Sequence, residues 1–268
     1  MMGQPLKCAL EARSGWRRFS VQSGLVSPVH GLKHAARHRG LPPLRFCLLF
    51  PVCTNTQHKP LFAAVGTKPQ ELTFPTTISK EVINDLPLSR FDGPIELIHT
   101  QGQLNVAVAE LKKEKILGFD TETRPSFKRG RSYPPALLQL GGAEKVYLFQ
   151  LQRLEDISPV LEVLANPDIV KVGVAIRDDV RKLREMKDFY PAGFVELADI
   201  TQKADIVNTG LRSLAGIFLG VRISKGAQVS NWSRDHLTEA QTVYAATDAW
   251  ISREIYIKLL DLGMVDEY

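Results

Sequence analysis

The chain has 268 residues, of which 44% are hydrophobic and 24% charged, the proportions of an ordinary soluble globular protein. Its length suffices for one sizeable core, with residues left over for a tail or a small second unit. No apolar run approaches the roughly 20 residues that a membrane-spanning helix needs. The best candidate, Phe46 to Val52, is far shorter and contains Pro51, so the sequence argues against a membrane role.

The net charge of +5 is unevenly distributed along the chain. Residues 1–70 contain ten Lys or Arg and a single acid, Glu11, which gives +9. The remainder contains the other 24 basic and 28 acidic residues, and 24 − 28 = −4. The basic character therefore belongs to the N-terminal segment, and the total charge is not evidence that the rest of the chain binds nucleic acid.

Residues 1–75 are predicted to form a poorly ordered extension, because they hold eight of the 16 prolines and show no sustained helical or strand period. Their Arg-rich, acid-poor composition is typical of a mitochondrial transit peptide; the alternative is upstream sequence translated from a start site assigned too early. All three cysteines, Cys8, Cys47 and Cys53, lie here without zinc-site spacing. The cysteine-free remainder, 76–268, is predicted to be the folded domain and fits a reducing compartment such as the cytoplasm.

The first half of this domain predicts one helix followed by three strands. The helix covers Gln103–Lys113, and the strands cover Lys115–Glu122, Ala136–Leu140 and Lys145–Phe149. A Gly141-Gly142 turn joins the last two strands. Three consecutive strands with short connections predict an antiparallel meander.

The second half alternates between helices and a strand. A helix over Ser158–Ala165, an apolar strand over Ile169–Ala175 and a helix over Asp178–Met186 predict a strand covered on both faces within a mixed sheet. A further helix covers Leu211–Leu219 and ends at Gly220. Thr238 and Gln241 form a capping box that opens a helix over Glu239–Leu262.

Two acids stand at the C-terminal end of the first strand. Asp120 and Glu122 are two residues apart, so their side chains project from the same face of the strand. Two carboxylates this close disfavour joint ionisation unless a positive charge lies between them, and a divalent metal ion with oxygen ligands supplies it. An Asp-x-Glu pair is also common at solvated strand ends, so the pair alone does not establish a site.

The last helix carries a second polar anomaly. Its apolar stripe runs from Ala240 through Ile251 to Leu259, and Asp248 falls within that stripe. A carboxylate that faces a core is costly unless it is paired or binds a metal. Tyr244 lies one turn earlier on the same side; a hydrogen-bonded Tyr–Asp core pair is the structural alternative.

A third pair of acids opens the helix that follows the apolar strand. One of Asp178 and Asp179 is expected to cap the helix N-terminus and complement its dipole. The other is free to point toward the end of the first strand. The physical argument does not decide between them.

Together these segments resemble the motifs of the DEDD-type 3′→5′ exonucleases. Phe119 to Thr123 resembles the first motif, and Tyr244 to Asp248 resembles the Tyr-x-x-x-Asp third motif of the tyrosine subclass. Gly173 to Leu183 is similar to the second motif of ribonuclease D and the Werner-syndrome exonuclease domain. In that register Asp179 is the motif acid and Asp178 the helix cap. The histidine subclass would need His where Val243 stands, and the resemblance covers roughly residues 95–262.

The resemblance implies an α/β, ribonuclease H-like fold: a mixed sheet flanked by helices on both faces, with the acids gathered at strand ends. It implies that two divalent metal ions, Mg²⁺ or Mn²⁺, are held by four carboxylates: Asp120, Glu122, Asp179 and Asp248. The ions would stabilise the attacking water and the leaving oxygen of an in-line displacement. Tyr244 would orient the water, and nucleoside 5′-monophosphates would be released from a 3′ end.

Several residues are candidates for contact with the substrate. The resemblance places Thr123 near the 3′-terminal nucleotide. A basic loop follows the first strand and either contacts phosphates or forms a solvated charge run; it comprises Arg124, Lys128, Arg129 and Arg131. Lys225 and Arg234 are further candidates, whereas Trp232 is expected to be a packing residue.

The implied partner is single-stranded or 3′-overhanging nucleic acid, and the sequence does not decide between DNA and RNA. Two other functions stay open: a catalytically silent binding module of the same fold, and a phosphodiesterase limited to very short oligonucleotides. Ribonuclease D normally carries additional C-terminal helical domains, so this chain is expected to be a free-standing exonuclease domain.

Overall fold

The structure is a computed structural model that describes residues 74–126, 130 and 132–265. Its six strands are β1 Ile95–Ile98, β2 Ile116–Thr123, β3 Pro135–Gly141, β4 Val146–Gln150, β5 Val170–Gly173 and β6 Phe194–Glu196. Its α-helices are α1 Lys80–Asp85, α2 Gln101–Leu111, α3 Ser158–Ala165, α4 Ile176–Met186, α5 Leu197–Gln202, α6 Leu211–Leu214 and α7 Glu239–Asp261.

The strands form one mixed sheet in the order β1-β4-β3-β2-β5-β6. The predicted meander is confirmed, since β2 pairs antiparallel with β3 and β3 with β4. The remaining pairs are parallel: β1 with β4, β5 with β2, and β6 with β5. Strand β5 is buried throughout, including Lys171, which interrupts its otherwise apolar sequence.

The predicted element boundaries agree with the structure to within two residues. Helix α2 begins two residues earlier than predicted, because Thr100 caps it and forms a capping box with Gln103. Helix α6 continues into a π-helical segment, Ala215–Leu219, which ends at Gly220 in the left-handed conformation (φ 65°). Two strands and two helices, β1, β6, α1 and α5, were not predicted, since elements of three to six residues are too short to show a period.

Apolar side chains fill both faces of the sheet. On one face α2, α3 and α4 cover the side chains of Phe119, Leu138 and Phe149. On the other face α7 packs against β2, β3 and β4. None of the helices in the described part of the chain is long and apolar enough to cross a membrane.

Small residues let the backbone of α7 lie directly against the sheet. A Cβ atom added to Gly118 would lie 1.8 Å from the carbonyl oxygen of Ala249, and one added to Gly141 would lie 3.1 Å from that residue's carbonyl carbon. Ala245, Ala246 and Ala249 are the buried residues of α7 at this contact. This close approach brings the middle of α7 next to the end of β2.

The predicted extension, residues 1–75, lies outside the described residues except for Phe74 and Pro75. The ring of Phe74 packs against Phe218 at a centroid distance of 5.1 Å. Phe74 therefore packs against the core of the folded part, two residues before the predicted start at residue 76.

Candidate active site

Three carboxylates from two elements meet at the C-terminal end of β2. Ligand oxygens of Asp120, Glu122 and Asp248 all lie within 4.8 Å of one another. Asp120 and Glu122 project from the face of β2 that α7 covers, as strand alternation predicts. Asp248 is buried on α7, with only 6% of the residue exposed, so it does lie on the buried side of the helix; Ala240, at the start of the predicted stripe, is exposed.

The cluster concentrates negative charge in a poorly solvated place. Burial, followed by the charges of Asp248 and Asp179, raises the pKa of Asp120 well above its usual range. Burial and then the neighbouring acids raise the pKa of Glu122 to about 10. Burial also raises the pKa of Asp248 to about 7, although its hydrogen bond with Tyr244 acts in the opposite direction. Without a positive charge among them, the three groups cannot all be ionised at neutral pH.

Tyr244 lies one turn before Asp248 on α7 and is hydrogen-bonded to it. Burial and the surrounding carboxylates raise the pKa of the Tyr244 phenol, so its hydroxyl stays protonated and donates. The ring packs against Trp232 at a centroid distance of 6.0 Å. Trp232 is itself 1% exposed, which confirms its predicted packing role.

Asp179 reaches the site from α4, on the other side of β2. Its Oδ1 accepts a 2.6 Å hydrogen bond from the hydroxyl of Thr121, the residue between the two strand acids. Burial raises the pKa of Asp179, whereas this hydrogen bond lowers it. Asp179 is outside the group of three oxygens within 4.8 Å, yet its charge contributes to the raised pKa of both Asp120 and Glu122.

The prediction that Asp178 caps α4 is wrong. The helix begins at Ile176, and its N-cap is Ala175, in the left-handed conformation (φ 59°) and without a side-chain cap. The carboxylate of Glu196, from the end of β6, accepts from the backbone N–H groups of Ala175 and Ile176 at 3.0 Å each. Asp178 instead points to solvent and pairs with Arg181. Contact with Thr121 thus distinguishes Asp179 from its neighbour.

A cavity of about 420 Å³ opens beside the carboxylates, a volume that suits a small ligand. Asp120, Glu122, Tyr244 and Asp248 line one part of it. The first turn of α6 and the segment after Ile223 line much of the rest. Their polar residues, of which only Lys225 was predicted from sequence, are Arg212, Ser213, Ser224, Lys225 and Gln228.

The other predicted substrate contacts lie at the edge of the site or beyond the described residues. Thr123 is half-buried at the end of β2, in register with Pro135 after a bulge. Arg124 is exposed, and its guanidinium lies 5.3 Å from the centre of the Tyr133 ring. Arg234 is exposed, too. The remaining loop residues, Lys128, Arg129 and Arg131, lie outside the described residues.

The donor set fits a hard divalent cation. All the converging ligand atoms are carboxylate oxygens, which suit Mg²⁺ and Mn²⁺ rather than a soft metal. The pKa values of these acids are raised by burial and by their mutual repulsion. A bound cation would supply the positive charge that the cluster lacks. The residues present therefore match a metal site, and the arrangement is consistent with hydrolytic chemistry on a phosphate.

Known proteins with similar sequences include 3′–5′ exonucleases. The bifunctional 3′–5′ exonuclease/ATP-dependent helicase WRN of Mus musculus is 34% identical over 197 residues, which are 69% of this chain and 14% of WRN. Ribonuclease D of Gluconacetobacter diazotrophicus is 33% identical over 179 residues, 64% of this chain and 43% of that protein. The chain thus spans less than half the length of these curated relatives.

A solved structure shares the fold. The crystal structure of ribonuclease D from Escherichia coli, an exoribonuclease involved in structured RNA processing, superimposes with a TM-score of 0.55 at 24% identity. The match covers 64% of this chain and 46% of that one, and it shows the predicted ribonuclease H-like fold. A family model described as a 3′–5′ exonuclease matches residues 95–263, more than half of the chain. The chain therefore belongs to the 3′–5′ exonuclease domain family that its acidic motifs resemble.

Proposed function

We propose that the chain hydrolyses phosphodiester bonds one at a time from the 3′ end of DNA or RNA and releases nucleoside 5′-monophosphates. The observation that carries this proposal is the convergence of Asp120, Glu122 and Asp248, within 4.8 Å, at a cavity large enough for a terminal nucleotide. Membership of the exonuclease family supports the choice of reaction.

Four acids would hold the two metal ions of this mechanism. Asp120, Glu122 and Asp248 form the compact group, and Asp179 adds a fourth carboxylate from α4. Bound Mg²⁺ or Mn²⁺ would neutralise charge that develops on the attacking and leaving oxygens. The hydrogen bond from Thr121 fixes the carboxylate of Asp179 relative to β2, which keeps the four acids in register.

Tyr244 would position the attacking water, as in the tyrosine subclass. Its hydroxyl stays protonated because burial and the nearby carboxylates raise its pKa. Its hydrogen bond with Asp248 and the contact of its ring with Trp232 restrict the side chain to one orientation. A fixed donor beside the carboxylate cluster is suited to orienting a water molecule toward a phosphate.

The substrate of this reaction is proposed to be single-stranded or 3′-overhanging nucleic acid. Thr123 and Arg124 follow directly after the strand acids, and Lys225 is an exposed cation in the lining of the cavity. Phosphate contacts from such cations are sequence-independent, which is consistent with an enzyme that shortens many different strands.

Degradation of 5′-labelled single-stranded DNA and RNA, in parallel and with Mg²⁺ or Mn²⁺, tests the proposal. We expect a descending ladder of products that Asp120→Asn abolishes. Asp178→Asn is the matched control and should leave the ladder intact, because Asp178 is exposed and faces Arg181. Binding without cleavage would indicate a silent module, and cleavage of only di- and trinucleotides would indicate an oligonucleotide phosphodiesterase; either result contradicts the proposal.

A further inference from the structure

Arg212 lies in the wall of the active-site cavity, and none of the residues that the structure describes pairs with its charge. It belongs to the first turn of α6 and lines the same cavity as Asp120 and Asp248. The residue is half-buried, and its Nε atom is buried without a hydrogen-bond partner. Within the described part of the chain its side chain makes neither a hydrogen bond nor an ion pair.

A buried guanidinium N–H without an acceptor is energetically unfavourable, and the Nε–H of Arg212 is such a group. Withdrawing the donors of a charged group from water costs free energy unless an acceptor replaces the lost water. Two other partly buried arginines show the usual solution: Arg253 pairs with Glu254 at 3.0 Å, and the Nε of Arg222 donates to the carbonyl oxygen of Leu86 at 2.9 Å. None of the described residues supplies this compensation to the Nε of Arg212, so the missing acceptor is expected to come from a ligand.

The chemistry of the cavity identifies that ligand as an anion. Arg212 and Lys225 are the two cations among the described residues that line it. The planar guanidinium offers paired donors that match the oxygens of a phosphate group. Helix α6 supplies none of the four carboxylates, so Arg212 lines the cavity from a different element than the groups that would hold the metal ions and the phosphate being cleaved.

We propose that Arg212 binds a backbone phosphate of the nucleic-acid strand next to the phosphate that is cleaved. This inference rests on the proposed function for the identity of its ligand. Arg212 is a binding residue in this role: it holds the strand in the cavity and takes no part in bond cleavage.

The proposal makes opposite predictions for stability and for binding. Arg212→Met removes an unpaired charge while keeping an unbranched side chain, so the melting temperature of the nucleic-acid-free protein should stay the same or rise. A residue that merely supports the fold would lower the melting temperature when replaced. Arg212→Lys, which keeps the charge but not the paired donors, should bind the strand with intermediate affinity.

Binding is measured with fluorescein-labelled oligothymidylate, with Asp120→Asn present in every variant so that no cleavage intervenes. Arg212→Met should raise Kd about ten- to one-hundred-fold, the usual range for a lost charge-assisted hydrogen bond. The slope of log Kd against log salt should fall by about one, because one phosphate contact is lost. Arg184→Met is the matched control and should change neither Kd nor the salt slope, because Arg184 is an exposed residue of α4 that pairs with Asp188.

Kinetics on two substrates locate the phosphate. The p-nitrophenyl ester of thymidine 5′-monophosphate contains only the phosphate that is cleaved, whereas an oligonucleotide also contains its neighbour. Arg212→Met should raise KM for the oligonucleotide, leave kcat within about two-fold, and leave hydrolysis of the ester unchanged. The reason is that the lost contact stabilises the bound substrate and the transition state equally. Equal impairment on both substrates, or an unchanged Kd and salt slope, would overturn the proposal. If the unmodified chain cleaves neither substrate, the proposed function fails, and the Kd comparison still decides the role of Arg212.

Discussion

At the scale of single residues, the alternation of β2 determines how the site is supported. Asp120 and Glu122 face α7, whereas Thr121 between them faces α4 and donates to Asp179. One strand segment therefore supplies two acids directly and orients a third through a hydroxyl. Thr121 has no charge and lies between two more conspicuous residues, so only the contact with Asp179 reveals its role.

Replacing that hydroxyl tests the support. Thr121→Val keeps the side-chain volume but leaves Asp179 without its donor, so we expect kcat and Mn²⁺ affinity to fall about ten- to one-hundred-fold. Activity follows from the degradation assay, and Mn²⁺ affinity from the rise in melting temperature on titration with the ion. Thr121→Ser keeps the donor and should behave like the unmodified chain; a Val variant with full Mn²⁺ affinity would contradict the assigned role.

At the scale of elements, the site depends on how closely α7 approaches the sheet. Asp248 can meet Asp120 and Glu122 only because Gly118 and Gly141 present no side chain to the helix backbone. Strands and helices usually keep their backbones apart by a layer of side chains. Here that layer is reduced to glycine and alanine, and the carboxylates occupy the space at the end of the contact.

Gly118→Ala should therefore damage stability and the site together. The new methyl group would lie 1.8 Å from the carbonyl oxygen of Ala249, so α7 must shift, at a cost of about 1–3 kcal/mol or more. Urea denaturation measures that cost, and the loss of stabilisation by Mn²⁺ reports the separation of Asp248 from β2. Gly102→Ala, in α2 with nothing within 4 Å of the added methyl, is the control and should be neutral or stabilising.

At the scale of the whole molecule, a second buried ionisable group lies on β5, the strand that pairs in parallel with β2. Lys171 of β5 is 0% exposed, and its Nζ donates to the carbonyl oxygens of Asn166 and Ile169 at 2.7 Å each. The ammonium also lies 5.3 Å from the centre of the Phe194 ring. Burial lowers the pKa of Lys171 to about 8. The carbonyl oxygens and the ring compensate only part of the lost hydration.

This buried lysine makes the stability of the fold depend on pH. Between pH 8 and the ordinary lysine value of 10.5, the unfolded chain keeps a proton that the folded chain has lost. The unfolded state then binds more protons, so the free energy of unfolding rises with pH in that window. Relative to Lys171→Met, the unmodified chain should gain up to about 1.4 kcal/mol per pH unit there and nothing below pH 8. Urea denaturation from pH 7 to 10 measures the difference, and a constant difference would show that Lys171 titrates normally.

Patterns that depend on neighbouring residues could be interpreted without the structure. The period-two run of β2 placed Asp120 and Glu122 on one face, and the capping box of Thr238 and Gln241 located the start of α7. The apolar pattern also indicated that Asp248 is buried. The short strands β1 and β6 leave no periodic signal in the sequence. They are identified only by their pairing with β4 and β5, respectively.

The sequence by itself indicated which acids and which tyrosine are the candidate site residues, because their spacing along β2 and α7 is a local property of the chain. The resemblance selected Asp179 over Asp178, and the tertiary structure gives the physical reason: Glu196 caps α4, Asp178 pairs with Arg181 in solvent, and Asp179 contacts Thr121. The tertiary structure also placed Arg212 in the cavity wall. Both results depend on residues distant along the chain being brought together, and no periodicity within one segment encodes such contacts.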